Sequence, residues 1–363
     1  MRRFCSTAGP AGVIKVRRSS QIRNLMAKNM FYRPVVPACR VVLFLCATVM
    51  LPAAFPARAT DDFVSLETNF APLGRLIVTR FVTAPFPHPA RATGHQYHDE
   101  FFPAADHYSD STVAMFVPEN FRATDKIDFV VHFHGWRNTV AGTLEQFKLV
   151  EQLAASGKNA ILIVPEGPRN AADSFGGKLE DTNGFKAFMA EAVEKLRASG
   201  ALAKAERGLQ PTSTTEGEAT SKRPEGRAPE IGRIILSGHS GGYHVMAAIL
   251  DHGGLSEKIR EVWLFDALYG GTDKFVAWQK AEKGRLLDIY TDHGGTKEET
   301  ENLMAAYRTN GVSFFAAEDT NAVPQNLLTN KIIFLHTDMI HNDVVAKRST
   351  FEQFLKSSSF EDK

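Results

Sequence analysis

Short apolar segments that alternate with amphipathic helical patterns constrain this 363-residue chain more than any other feature. Residues 160–165 (AILIVP) carry no polar side chain. A strand there must be covered on both faces, as parallel strands under helices are. Comparable runs recur at 233–237 (RIILS), 261–265 (EVWLF), 285–290 (RLLDIY) and 331–336 (KIIFLH). Helical spacing fills the gaps, at 183–198, 241–251, 272–283 and 297–308. Earlier in the chain, 74–78 (GRLIV), 111–117 (STVAMFV) and 126–133 (KIDFVVHF) read as strands by their Val, Ile and Phe content. Residues 142–156 read as one helix through Leu144, Phe147, Val150 and Leu153. The alternation predicts an α/β fold: a mostly parallel central sheet with helices on both faces.

Two stretches interrupt this pattern. Residues 84–110 form a loop rich in His and aromatic side chains. Residues 205–230 turn to Thr, Ser, Glu, Pro, Gly and Lys with almost no apolar residue. The second reads as a flexible insertion inside one domain spanning 60–363, because strand–helix alternation resumes on both sides. The irregular spacing of His88, His95, His98 and His107 in the first argues for surface or cleft positions rather than metal ligands.

Charge is unevenly spread. Residues 1–59 hold ten Lys or Arg and no Asp or Glu, which leaves 32 basic against 41 acidic side chains, about −9, for the remainder. Such a body lacks the basic footprint that nucleic acid requires, so no nucleic-acid partner is expected. Arg33 and Arg40 precede an apolar run at 41–55, and Ala57-Arg58-Ala59 supplies the small-x-small pattern of a signal-peptide cleavage site. The run is shorter than the roughly 20 apolar residues that span a bilayer, and it contains Pro52. Cleavage after Ala59 is therefore expected, giving a periplasmic or secreted bacterial protein with no stable membrane anchor. Met26 or Met30 is an alternative start. Leu45 before Cys46 argues against a lipid anchor. Cys5, Cys39 and Cys46 all precede the cut, so the mature chain has no thiol for disulfide, zinc or nucleophilic chemistry.

Chemistry begins at Gly238-His239-Ser240-Gly241-Gly242, directly after one apolar strand and directly before a helical pattern. Glycines at 238 and 242 permit a sharp strand-to-helix turn that presents the Ser240 hydroxyl at the carboxyl end of the sheet, near a helix N-terminus. A second motif, His132-Phe133-His134-Gly135-Trp136, closes the third strand. His132 and His134 share a strand face, but no further ligand follows in metal-site spacing, and no metal is expected.

With these two motifs the chain resembles the α/β-hydrolase superfamily over residues 76–355. The resemblance implies a serine nucleophile, Ser240, and an oxyanion hole formed by the backbone N–H groups of Trp136 and Gly241. It also implies a general base after the last strand, since the superfamily's chain order places the His last. His341, in Asp338-Met339-Ile340-His341-Asn342-Asp343, lies on a loop and is preferred to His336, which falls inside the strand-like KIIFLH. Two residues compete to orient that His. Asp266 ends the strand EVWLF, where a bare carboxylate would be costly without a partner. Asp292, in Tyr290-Thr291-Asp292-His293-Gly294-Gly295, occupies the superfamily's more common position but also reads as a helix cap. Asp266 is preferred, Asp292 is the alternative, and Asp288 lies inside its strand.

The loop at 166–178 leaves the same edge of the sheet, where ligands of open α/β folds bind, and reads as solvated loop or cleft wall. His134, Tyr269 and Lys178 are the candidate substrate contacts. The function expected is hydrolysis through an acyl-enzyme. Carboxylic esters, small or polymeric, come first because they need no further machinery, and no cofactor is required. A peptidase or amidase is the alternative within the same chemistry. A non-catalytic binding module on the same fold is the alternative outside it.

Overall fold

The computed structural model of the protein describes residues 61–202 and 229–363. The expected signal peptide, and residues 205–228 of the expected insertion, lie outside the described residues. The sheet strands are β1 (Gly74–Arg80), β4 (Thr112–Pro118), β5 (Lys126–Phe133), β6 (Ala160–Pro165), β7 (Glu230–His239), β8 (Ile259–Phe265), β9 (Arg285–Thr291), β10 (Phe315–Glu318) and β11 (Ile332–Thr337). They lie in the order β1-β4-β6-β5-β7-β8-β9-β11-β10. β4 runs antiparallel to both its neighbours, and every other pairing is parallel. This is the arrangement that the resemblance to the α/β-hydrolases implies, with β10 as an additional edge strand.

The apolar runs are apolar throughout because each face meets a separate core. Along β6, Ile161 and Ile163 join one cluster, with Phe185, Met246, Phe275 and Leu303 from four helices. Ala160, Leu162 and Val164 join the other, with Leu144, Val150, Phe351 and Phe354. The first set of helices spans Gly184–Ala198, Tyr243–His252, Thr272–Glu282 and Lys297–Thr309, and the second Asp61–Phe70, Val140–Phe147, Leu149–Ser156 and Thr350–Ser357. Burying about 25 cal/mol per Å² of apolar surface on both sheet faces is the main favourable term for a chain whose described residues contain no cysteine.

Parallel register carries the motifs to one place. β5 pairs with β7 so that Phe133 faces Gly238, which sets His134-Gly135-Trp136 beside the Ser240 turn. β7 pairs with β8 so that His239 faces Phe265, which sets Asp266 on the turn's other side.

Several elements differ from expectation. The helix expected over 142–156 is two, broken at Lys148, whose φ of 49° is left-handed. Part of the loop at 84–110 forms a hairpin of β2 (His95–Tyr97) and β3 (Glu100–Phe102). The helices Asp61–Phe70 and Thr350–Ser357 were not anticipated, and neither was β10, whose alternate residues are exposed as an edge strand allows.

Candidate active site

β7 ends at His239 and a helix begins at Tyr243, so the chain reverses within three residues. Ser240 takes the turn with φ of 53°, a left-handed backbone that a serine adopts only at some cost in strain. The turn needs its glycines. A Cβ at 238 would stand 2.4 Å from the Met246 sulfur, and one at 242 would stand 2.7 Å from the Phe133 carbonyl oxygen. The N–H of Gly241 belongs to the first turn of the following helix, where backbone donors have no intrahelical acceptor.

His341 follows β11 in a short 3-10 turn, and its Nδ1 lies 2.6 Å from Asp266 Oδ2. Asp266, itself left-handed with φ of 45°, is fully buried. Its carboxylate also accepts hydrogen bonds from Thr291 Oγ1, at 3.0 Å, and from Thr296 Oγ1. Burial pushes this carboxyl's pKa up, but the hydrogen bonds from His341, Thr296 and Thr291 outweigh it and hold the group below its ordinary value. The carboxylate is therefore ionised at neutral pH, and it keeps a proton on His341 Nδ1 and the lone pair on Nε2.

His341 is held from its other side by the residue before the nucleophile. His239 Nε2 donates to the His341 carbonyl over 2.9 Å, and the two rings lie 4.5 Å apart. Burial and the neighbouring His341 depress the His239 pKa to about 3, so this ring stays neutral and acts as a fixed donor.

Asp292 lies elsewhere. It is exposed, 2.6 Å from Lys297 Nζ and 3.1 Å from His336 Nε2, and the other nitrogen of His336 faces Glu318. Asp292 makes no helix-capping bond; the helix that follows has Thr296 as its N-cap. The loop that carries Asp292 wraps around Asp266 instead, closely enough that a Cβ on Gly294 would overlap the Asp266 carboxylate.

The opposite wall comes from the 132–136 motif. A Cβ on Gly135 would stand 2.6 Å from Ser240 Cβ and 3.2 Å from Ser240 Oγ, so the Gly135 Cα packs directly against the nucleophile, and the peptide joining Gly135 to Trp136 starts there. The carbonyl of that same peptide faces His134 Nδ1 at 2.8 Å. His134 Nε2 faces Glu166 Oε1 at 3.2 Å, both side chains buried, and accepts from the Gly167 N–H at 2.9 Å. Burial lowers the His134 pKa, but Glu166 outweighs it and raises the net value. His132 is turned away, with Nδ1 at 2.9 Å from Ser237 Oγ. Among the described residues no three His, Cys, Asp or Glu side chains are placed to hold a metal ion.

Of the candidate substrate contacts, His134 lines a cavity of about 20 Å³ beside Gly241 and Gly242, together with Phe133, Phe175 and Val245. Tyr269 donates its hydroxyl hydrogen to the Gly294 carbonyl, its ring lies 6.4 Å from that of His341, and burial raises its pKa to about 12. Lys178 is not among the cavity-lining residues, and its ammonium donates to the Val82 carbonyl over 2.8 Å. His88 caps a short helical turn, and His107 contacts the Arg169 carbonyl at 2.6 Å. Sequence reasoning missed Glu166, His239, Thr291 and Thr296. Only the two threonines carried a signal, since they flank the alternative acid.

No family model and no curated protein matches the sequence. Among solved structures the chain is similar to the feruloyl esterase module from Clostridium thermocellum, with 11% identity over 78% of this chain and 88% of that one and a TM-score of 0.44. It is also similar to FphF, a fluorophosphonate-binding serine hydrolase of Staphylococcus aureus, with 10% identity over 79% and 100% and a TM-score of 0.43. A third is an S-formylglutathione hydrolase from Agrobacterium tumefaciens, with 11% identity over 79% and 96% and a TM-score of 0.40.

Proposed function

We propose that this chain is an exported serine hydrolase acting on carboxylic esters through an acyl-enzyme. The observation that carries the reading is the buried Asp266 carboxylate 2.6 Å from Nδ1 of His341, at the sheet edge where Ser240 is forced into a left-handed turn. A serine hydroxyl is scarcely ionised at neutral pH and needs a base, which the free Nε2 of His341 supplies. Ser240 Oγ attacks the ester carbonyl carbon as its proton passes to His341. The tetrahedral oxygen takes up negative charge and is met by the N–H groups of Trp136 and Gly241. Donors of this kind are worth about 3–4 kcal/mol each in related chemistry. His341 then protonates the departing alkoxide, the acyl group stays on Ser240, and water repeats the sequence to release the acid.

Labelling of the purified protein with a fluorophosphonate probe tests this. Wild type is expected to label and Ser240→Ala is not; unlabelled wild type leaves the binding-module alternative. Export rests on the Arg-flanked apolar run and Ala57-Arg58-Ala59. Protein recovered from the periplasm or medium is expected to begin at Thr60, and a start upstream of Val41 would refute it.

A further inference from the structure

Exposed apolar surface gathered at one place marks a ligand or partner site, whereas scattered single side chains do not. Among the described residues, exposed large hydrophobics include Trp136, at 40%, and Tyr269, at 39%. These two stand on opposite sides of the nucleophile. Trp136 packs over Gly241 on one side, so that a Cβ there would meet its ring carbon at 2.7 Å. Tyr269 stands on the other, its ring 6.4 Å from that of His341 and edge-on to it. Each is braced by a second ring. Tyr97 of the hairpin meets Trp136 edge-on at 4.8 Å and 72°, and Tyr243 lies 5.9 Å from Tyr269.

The polar atoms of these rings are already engaged. Trp136 Nε1 donates to Ser174 Oγ over 2.7 Å, and the Tyr269 hydroxyl donates to the Gly294 carbonyl. What remains for a substrate is ring face and ring edge, which suits a flat apolar ring better than the hydroxyls of a sugar. The cavity behind Gly241 has about 20 Å³, room for about one water molecule, and so takes no substrate bulk itself. Resting on the ester-hydrolase reading above, we infer that Trp136 and Tyr269 form an aromatic platform that selects esters bearing an aromatic ring next to the ester group over alkyl esters of equal size.

Matched pairs of unactivated esters test it with the full chain. Methyl 3-phenylpropanoate against methyl nonanoate places the ring on the acyl side, and benzyl acetate against heptyl acetate places it on the alcohol side. The expected result is a kcat/KM at least tenfold higher for the ring ester in one pair, and that pair identifies which side of the ester occupies the platform. The ratio should collapse toward one in Trp136→Leu and in Tyr269→Leu, and persist in Tyr269→Phe, which keeps the ring. Ratios near one in both pairs, from an enzyme that labels with fluorophosphonate, overturn the platform and leave the hydrolase reading standing. Absence of labelling overturns the hydrolase reading instead. Binding then decides the platform separately: Trp263 and Trp278 are buried, so fluorescence sensitive to added ligand reports Trp136. In Ser240→Ala, 3-phenylpropanamide should alter that fluorescence and nonanamide should not; an equal response refutes the selection.

Discussion

The Nδ1 of His341 lies 2.6 Å from Oδ2 of Asp266, a carboxylate that no solvent reaches, whereas Asp292 is exposed and paired with Lys297 and His336. Asp266→Asn should therefore preserve the fold and remove the acceptor that keeps the proton on Nδ1. A wrong tautomer in a triad costs about 10⁴ in kcat. Asp292→Asn should leave turnover within a few-fold of wild type. Paired kcat and thermal-melt measurements on the two variants check this, and an inactive Asp292→Asn beside an active Asp266→Asn would reverse the assignment.

Much of this site was legible before any coordinates, and for a physical reason. Strands buried on both faces must be largely apolar, so β6 and the inner parts of β7 and β8 announce themselves, and a glycine-flanked serine between strand and helix leaves few geometries. Asp266 was legible only as one of two choices, because nothing local shows that Thr291 and Thr296 close over it. Glu166 and His239 act through contacts made by neighbouring strands, and their sequence surroundings carry no trace of that. The break at Lys148 was invisible because lysine is an ordinary helix former. β10 was invisible because four half-exposed residues cannot establish a period.

His134 touches no substrate atom in the proposed chemistry, yet it faces the carbonyl of the peptide whose N–H is proposed to meet the oxyanion. With Nδ1 protonated, that bond fixes the peptide plane whether Nε2 carries a proton toward Glu166 or accepts a hydrogen bond from the Gly167 N–H. His134→Ala is expected to lower kcat by about tenfold to a hundredfold with little change in KM, a fraction of what losing an oxyanion donor outright costs. His134→Asn, whose amide can stand where Nδ1 stands, should recover more activity than His134→Gln. Equal losses in both would reduce His134 to a packing role.

Asp288 offers a pH test of stability away from the chemistry. It is fully buried, Thr300 donates to one oxygen at 2.8 Å, and the other oxygen has no partner. Burial, reinforced by the nearby charge of Asp266, raises its pKa to about 7. An acid whose folded pKa exceeds its unfolded value, about 4, binds more protons when folded, so its contribution to stability falls as pH rises from about 4 to about 7. Asp288→Asn removes the charge and should raise the melting temperature relative to wild type more at pH 8 than at pH 5. A gain that does not grow with pH would mean that Asp288 is solvated by water the burial does not reveal.

Gly135 is an exacting position, because its hydrogen occupies space beside the nucleophile that no methyl group can share. A methyl group there would stand 2.6 Å from Ser240 Cβ and 3.1 Å from the His239 carbonyl oxygen, both parts of a turn that is already strained. The turn cannot retreat, since Gly242 is pressed against the Phe133 carbonyl and Gly238 against Met246. Gly135→Ala must therefore push the 135–136 peptide outward, away from the position where its N–H would meet the oxyanion. A misplacement of about 1 Å is enough to cost about a hundredfold in rate. The expected signature is a fall in kcat of at least that size with a native circular dichroism spectrum, and a matching fall in the rate of fluorophosphonate labelling, since phosphonylation of Ser240 draws on the same hole. Normal labelling in Gly135→Ala would show that the peptide beside Ser240 is not the oxyanion donor, and would move that role to another N–H near the Gly241 turn.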